Sequence, residues 1–163
     1  MGNNQFLSIG AIALLALVSL RFNTTVLENK TTEVENKVYL TAFSLADDLI
    51  EEIKQKAFDE QTVDWRAIPV EQLTSIDAFG PDADEFSVND FDDIDDYQNY
   101  SKGISLPHVE DYNVSSTVEY VTASDPDMTS SSQTYFKRIS VRVTSPYISH
   151  PVRLAFVFTL HSK

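Results

Sequence analysis

At 163 residues the chain has room for one domain and an anchoring segment, but not for two ordinary domains. Twenty-five Asp and Glu against 12 Lys and Arg give a net charge of −13, which argues against a nucleic-acid surface and for a self-repelling, soluble exterior. Cysteine is absent, so disulfides, thiolate zinc sites and cysteine nucleophiles are excluded, while a hydrophobic content of 42% suffices for a core.

The chain divides by patterning into a hydrophobic segment over residues 1–25, an amphipathic segment over 26–58 and a head over 59–163. Residues 6–20 read FLSIGAIALLALVSL, with no charge and no proline. No basic residue precedes this run, and Leu20-Arg21-Phe22 is a poor cleavage site, so a secretory signal does not fit. As a helix the run spans roughly 22 Å, and it approaches the ~30 Å hydrocarbon thickness when its flanks join it. A helix apolar on every side is buried only inside a large protein, which this is not. A membrane or filament-core role is therefore expected for Phe6, Leu7, Ile9, Ile12, Leu14, Leu15, Leu17 and Leu20, packed against copies of the same run.

Helical spacing continues beyond Asn23. Leu27, Val34, Val38, Leu45, Leu49 and Ile53 form a seam spaced like a and d positions of a heptad. Tyr39, Ala42, Phe43, Ala46 and Ile50 widen it, so the stripe is expected to lie against a sheet rather than in a free coiled coil. One helix over about residues 3–58 is predicted, with a partial melt at Asn23-Thr24-Thr25 and Thr31-Thr32. Lys54 and Lys56 suit its C-terminal dipole.

Residues 59–113 are the least regular, with a turn at Gly80-Pro81. Eight acids follow between Asp82 and Asp96, and no Lys or Arg stands between Arg66 and Lys102. Phe86, Phe91, Ile94 and Tyr97 are expected to pin this acidic loop to the body. After Pro107 the period becomes two. Strands are predicted at 116–122, 135–144 and 152–160, forming an antiparallel meander with one apolar face. Ile139, Val141 and Val143 share that face, as do Val152, Leu154, Phe156, Phe158 and Leu160. The helix stripe is the natural cover, and Phe156 and Phe158 are expected to be buried beneath Phe43, Leu45, Leu49, Ile50 and Ile53. The fold class is α+β.

Candidate sites are few. His108, His150 and His161 stand far apart, outside any zinc or general-base motif. No phosphate loop and no GxSxG is present. Asp90, Asp92, Asp93, Asp95 and Asp96 could offer hard oxygen ligands to Ca²⁺, against the alternative of a solvated acidic turn; the central Gly and distal Glu of an EF-hand are missing. Asn23, Asn29, Asn99 and Asn113 each begin an N-x-Ser/Thr sequon.

An N-terminal apolar run, a helix of about 55 residues, a variable loop and a terminal antiparallel sheet together resemble the type IV pilin and pseudopilin superfamily. Phe91-Asp92-Asp93-Ile94-Asp95-Asp96-Tyr97 is similar to an FDD-x-DD-aromatic segment in the loop of some minor pilins of that superfamily. The resemblance implies a membrane-anchored precursor whose short basic leader is cut. It further implies an assembly machinery, and subunits drawn into a surface filament by their N-terminal helices. A chain beginning at the mature end would lack basic residues before Phe6, as this one does. Family members usually carry Glu at mature position five, near the neighbouring subunit's terminal amine. Counted from Met1 this chain has Gln5, which accepts a hydrogen bond but cannot neutralise a charge. Docking through Met1 and Gln5 would thus lack the ion pair, and cleavage after Gly2 would place Leu7 there instead. A single-pass envelope protein displaying an acidic adhesion head is the alternative.

Overall fold

The computed structural model describes residues 2–64, 68–107 and 109–160. Met1, His108 and His161, singled out from the sequence, lie outside the described residues. The chain forms two compact units, Met1–Val38 and Tyr39–Lys163. One helix, α1 (Asn3–Ile53), begins in the first unit and ends in the second.

Within the first unit the described side chains are exposed, apart from half-buried Val26 and buried Val38. No melt occurs at the threonines. The Thr24, Thr25, Thr31 and Thr32 hydroxyls donate to the carbonyls of Leu20, Arg21, Leu27 and Glu28, each four residues back, at 2.9–3.0 Å. Each hydroxyl is thereby satisfied inside the helix, where this pairing bends the backbone slightly rather than breaking it. Leu27 and Val34, expected on a seam, are exposed.

The second unit is α+β, with the long N-terminal helix packed on a four-stranded antiparallel sheet. Strands β1 (Ser101–Leu106), β2 (Val109–Tyr120), β3 (Phe136–Thr144) and β4 (Val152–Thr159) lie in sequence order, a meander. Strand β1 was not expected. SKGISL carries a glycine and sits at the edge with mostly exposed side chains, so alternation is weak there. The helix buries Ala42, Ala46, Leu49, Ile50 and Ile53. Two alanines on one ridge allow close approach to the sheet, whose facing residues Val114, Val118, Ile139, Val141 and Val143 are buried in turn.

Three expectations need correction here. Helix α1 stops at Ile53 rather than 58: Lys54 still bonds to Ile50 O, but Gln55 and Lys56 bond three residues back, and Ala57 N donates to Asp92 O at 2.9 Å. A bridge to the acidic loop, not a local stop signal, ends the helix. Phe86 is 88% exposed and pins nothing, whereas Phe91, Ile94 and Tyr97 are buried as expected. Phe156 is exposed and Phe158 only half-buried, and Phe43 is exposed as well.

The strand faces themselves are as expected: Val152, Leu154 and Phe156 stand opposite Val143, Val141 and Ile139. What fails is the cover: β4 is an edge strand, and Phe156 and Phe158 stay more exposed than Ile139, Val141 and Val143 on β3. The Phe156 ring instead stacks edge-on with Phe158 at 4.8 Å and lies 4.4 Å beneath Lys54 Nζ. Unequal costs follow. Ile139→Ala should destabilise the second unit by about 2–5 kcal/mol, and Phe156→Ala by less than the ~3–5 kcal/mol of a fully buried ring. Denaturant unfolding of the two variants would show the order, and a larger loss at Phe156 would contradict this packing.

Candidate functional site

The inner face of the sheet carries one residue that alternation alone does not welcome. Lys137 stands in phase with Ile139, Val141 and Val143, paired with Tyr120 on β2 and Phe158 on β4, and is fully buried. An inward ammonium must find acceptors, because an unpaired buried charge costs several kcal/mol. Its three N–H groups are all used. Nζ donates to Phe58 O and to Asp59 Oδ2, each at 2.8 Å, and to Asp95 Oδ1. Phe58, Phe79 and Tyr120 place ring centroids 4.8, 5.2 and 5.3 Å away.

Asp59 follows the turn that ends α1, immediately before the short helix α2 (Glu60–Asp64). Its Oδ1 accepts from Thr74 N, Thr74 Oγ1 and Gln61 N, and its Oδ2 from Tyr120 OH as well as Lys137. Asp95 opens a single 3-10 turn, Asp95–Tyr97, in the acidic loop. Three distant segments thus converge on one ammonium.

This ammonium is the basic partner that the acidic loop lacks within its own stretch. Of residues 91–97 all but Asp92 are buried. Asp93 Oδ1 accepts from Asp95 N at 2.6 Å, and Asp96 Oδ2 accepts from Asp92 N and Asp93 N at 3.1 and 3.0 Å. The carboxylates therefore satisfy the loop's own backbone. Tyr97 OH donates to Glu52 Oε1, and Ser116 Oγ donates to Tyr97 O, fastening the turn to helix and sheet.

Of the five aspartates offered as Ca²⁺ ligands, Asp93, Asp95 and Asp96 line one pocket, and Asp92 and Asp96 approach a common point. Asp90 accepts from Ser87, Asp93 caps the turn and Asp95 pairs with Lys137. Asp92 and Asp96 do approach Glu85, with one carboxylate oxygen from each within 4.8 Å of the others. Among the described residues these three are the ones placed to meet a cation, with carboxylates that can bind through one oxygen or two. The segment is not a solvated turn: it is largely buried, and Lys137 holds it through Asp95.

Burial, then Asp92 and its acidic neighbours, push the Glu60 carboxyl up to about 7. Burial, then the neighbouring Glu85, push Asp96 up to about 7, and burial raises Asp93 and Asp95 as well. Carboxyls raised on folding bind protons more tightly in the folded state. The stability they lend is complete below the unfolded carboxylate range, and is lost as pH rises through about 7 for Glu60 and Asp96 and through about 9 for Asp93. The second unit should therefore melt several degrees lower in mildly alkaline than in mildly acidic buffer. Asp96→Asn should flatten that slope, and thermal melts across the range would read both.

The remaining candidates are scattered. His150 is exposed beside Ser149. Asn23 and Asn29 are exposed on α1, and Asn113 is exposed on β2 with its amide on Ser101 Oγ. Asn99 is exposed in a turn at φ 58°, a left-handed conformation that asparagine tolerates. Gln5 and the hydrophobic residues from Phe6 to Leu20 lie exposed on α1. Comparison with protein-family models, curated proteins and solved structures gives no match.

Proposed function

We propose that the chain is a structural subunit of an extracellular filament of the type IV pilus kind. It is held in a membrane as a precursor and assembled by a dedicated machinery through contacts among many copies of residues 6–20. The reading rests on one observation: Phe6, Leu7, Ile9, Ile12, Leu14, Leu15, Leu17, Val18 and Leu20 are all at least 63% exposed on a continuous helix. Burying nine such side chains at ~1.5–3 kcal/mol each is worth on the order of 15–25 kcal/mol. That exceeds the ~5–15 kcal/mol stability of a typical domain, so the segment calls for an apolar surrounding that one copy does not provide. A filament core of packed helices supplies it, and a bilayer supplies it before assembly. The role is structural, not catalytic.

A second reading has the same helix as a single-pass anchor displaying the acidic head at the cell surface. It is favoured by this being the one described helix long and apolar enough to cross a membrane. Electron microscopy of surface filaments, with cysteines placed at positions 12 and 16 for cross-linking, separates the two. Filaments carrying the chain, with ladders of cross-linked copies, support the first. A chain recovered only as membrane-bound monomers would leave the anchor.

A further inference from the structure

Lys137 is placed for covalent chemistry as well as for ion pairing, whatever role α1 plays. We propose that Lys137 and Asp95 join through an intramolecular isopeptide bond, with Asp59 as the carboxylate that relays the proton. The side chains of Lys137, Asp59 and Asp95 are 0%, 0% and 3% exposed. Nζ touches both carboxylates, and three aromatic rings close around it. Fixed proximity of amine and carboxyl replaces an encounter in solution, and effective molarities of about 10⁵ M or more are available to such pairs.

The two carboxylates are not equivalent. Asp59 accepts from Thr74, Gln61 and Tyr120 besides Lys137, a set of donors that fixes its orientation beside Nζ. Asp95 meets Lys137 and the Thr74 side chain and lies against the Asp93 carboxyl, and burial raises its own carboxyl. The aromatic surroundings disfavour separated charges, which favours an uncharged amide over the ion pair. Asp59 is thus the base and Asp95 the electrophile.

The step balances without a co-reactant. An ammonium proton passes by way of Asp59 to the Asp95 carboxylate, making it the neutral acid, and the freed amine lone pair attacks Asp95 Cγ, forming the C–N bond. The tetrahedral adduct loses its second nitrogen proton, and the C–O bond breaks. The departing oxygen takes two protons, through Asp59, and leaves as water. One of the three ammonium hydrogens stays on the amide. The product ties β3 to the 3-10 turn of the acidic loop across 42 positions of sequence.

Intact-mass spectrometry of the full chain, purified in detergent after folding, tests this without any variant having to fold. The expected mass is lower than that of the sequence by one water, and a protease digest should yield the Lys137 and Asp95 peptides as one branched species. Lys137→Arg should restore the full sequence mass, and Asp59→Ala should slow or abolish the loss. In Asp95→Asn the leaving group becomes ammonia, and the mass deficit should change accordingly. A folded wild-type chain that retains its full sequence mass overturns the proposal, and a branch located at Asp59 overturns the assignment of the two carboxylates.

Discussion

Leu14→Asp, Leu15→Asp or Ala16→Asp should abolish filaments while leaving residues 39–160 folded. Each position lies in the first unit, on the exposed stretch of the helix over residues 6–20. A carboxylate placed among packed apolar helices without a partner costs several kcal/mol per copy. In a filament every copy pays it, so assembly fails even though each subunit is intact. Circular dichroism and melting of the detergent-solubilised variants should match wild type, while electron micrographs show no filaments. Normal filaments from all three would end the filament-core reading of residues 6–20.

Lys137→Met should destabilise the second unit by about 3–5 kcal/mol, the usual cost of leaving buried charge uncompensated. Asp59 would keep its Thr74, Gln61 and Tyr120 donors, but Asp95 would lose its ammonium partner and lie beside the carboxyls of Asp59 and Asp93. Asp95→Asn in the same chain should recover part of the loss by removing the stranded charge. Denaturant titrations of the single and double variants form a cycle whose coupling reports the pair. Additive effects in that cycle would mean that Lys137 and Asp95 act independently.

The long helix, its wide apolar stripe and the alternating faces of β3 and β4 were legible because each repeats a period many times. Single residues that break a period carried the rest. The alternation that places Ile139, Val141 and Val143 inward also places Lys137 inward, two positions earlier, and a lysine there demands carboxylates from elsewhere in the chain. That signal could have directed attention from the acidic loop as a cation trap to the loop as the lysine's partner. The end of α1 had no local mark, because Ala57 leaves the helix to meet Asp92 in a segment 35 residues away. Edge position explains the other misses. Phe156 has the right parity but no neighbour beyond β4, and β1 shows no alternation because few of its side chains meet the core.

The threonines of α1 bear on how deep the helix can sit in a bilayer. Their hydroxyls already bond to carbonyls of the preceding turn, so immersing them strands no unpaired donor. Between Phe6 and Leu27 the sole formal charge is Arg21, whose long stem can reach toward headgroups while its backbone lies below them. The next charge is Glu28. Residues 22–27 therefore form a stretch along which the water boundary can move by more than one helical turn at little cost. A subunit lifted from lipid into a growing polymer would use that latitude, rising vertically before its charged residues have to change surroundings.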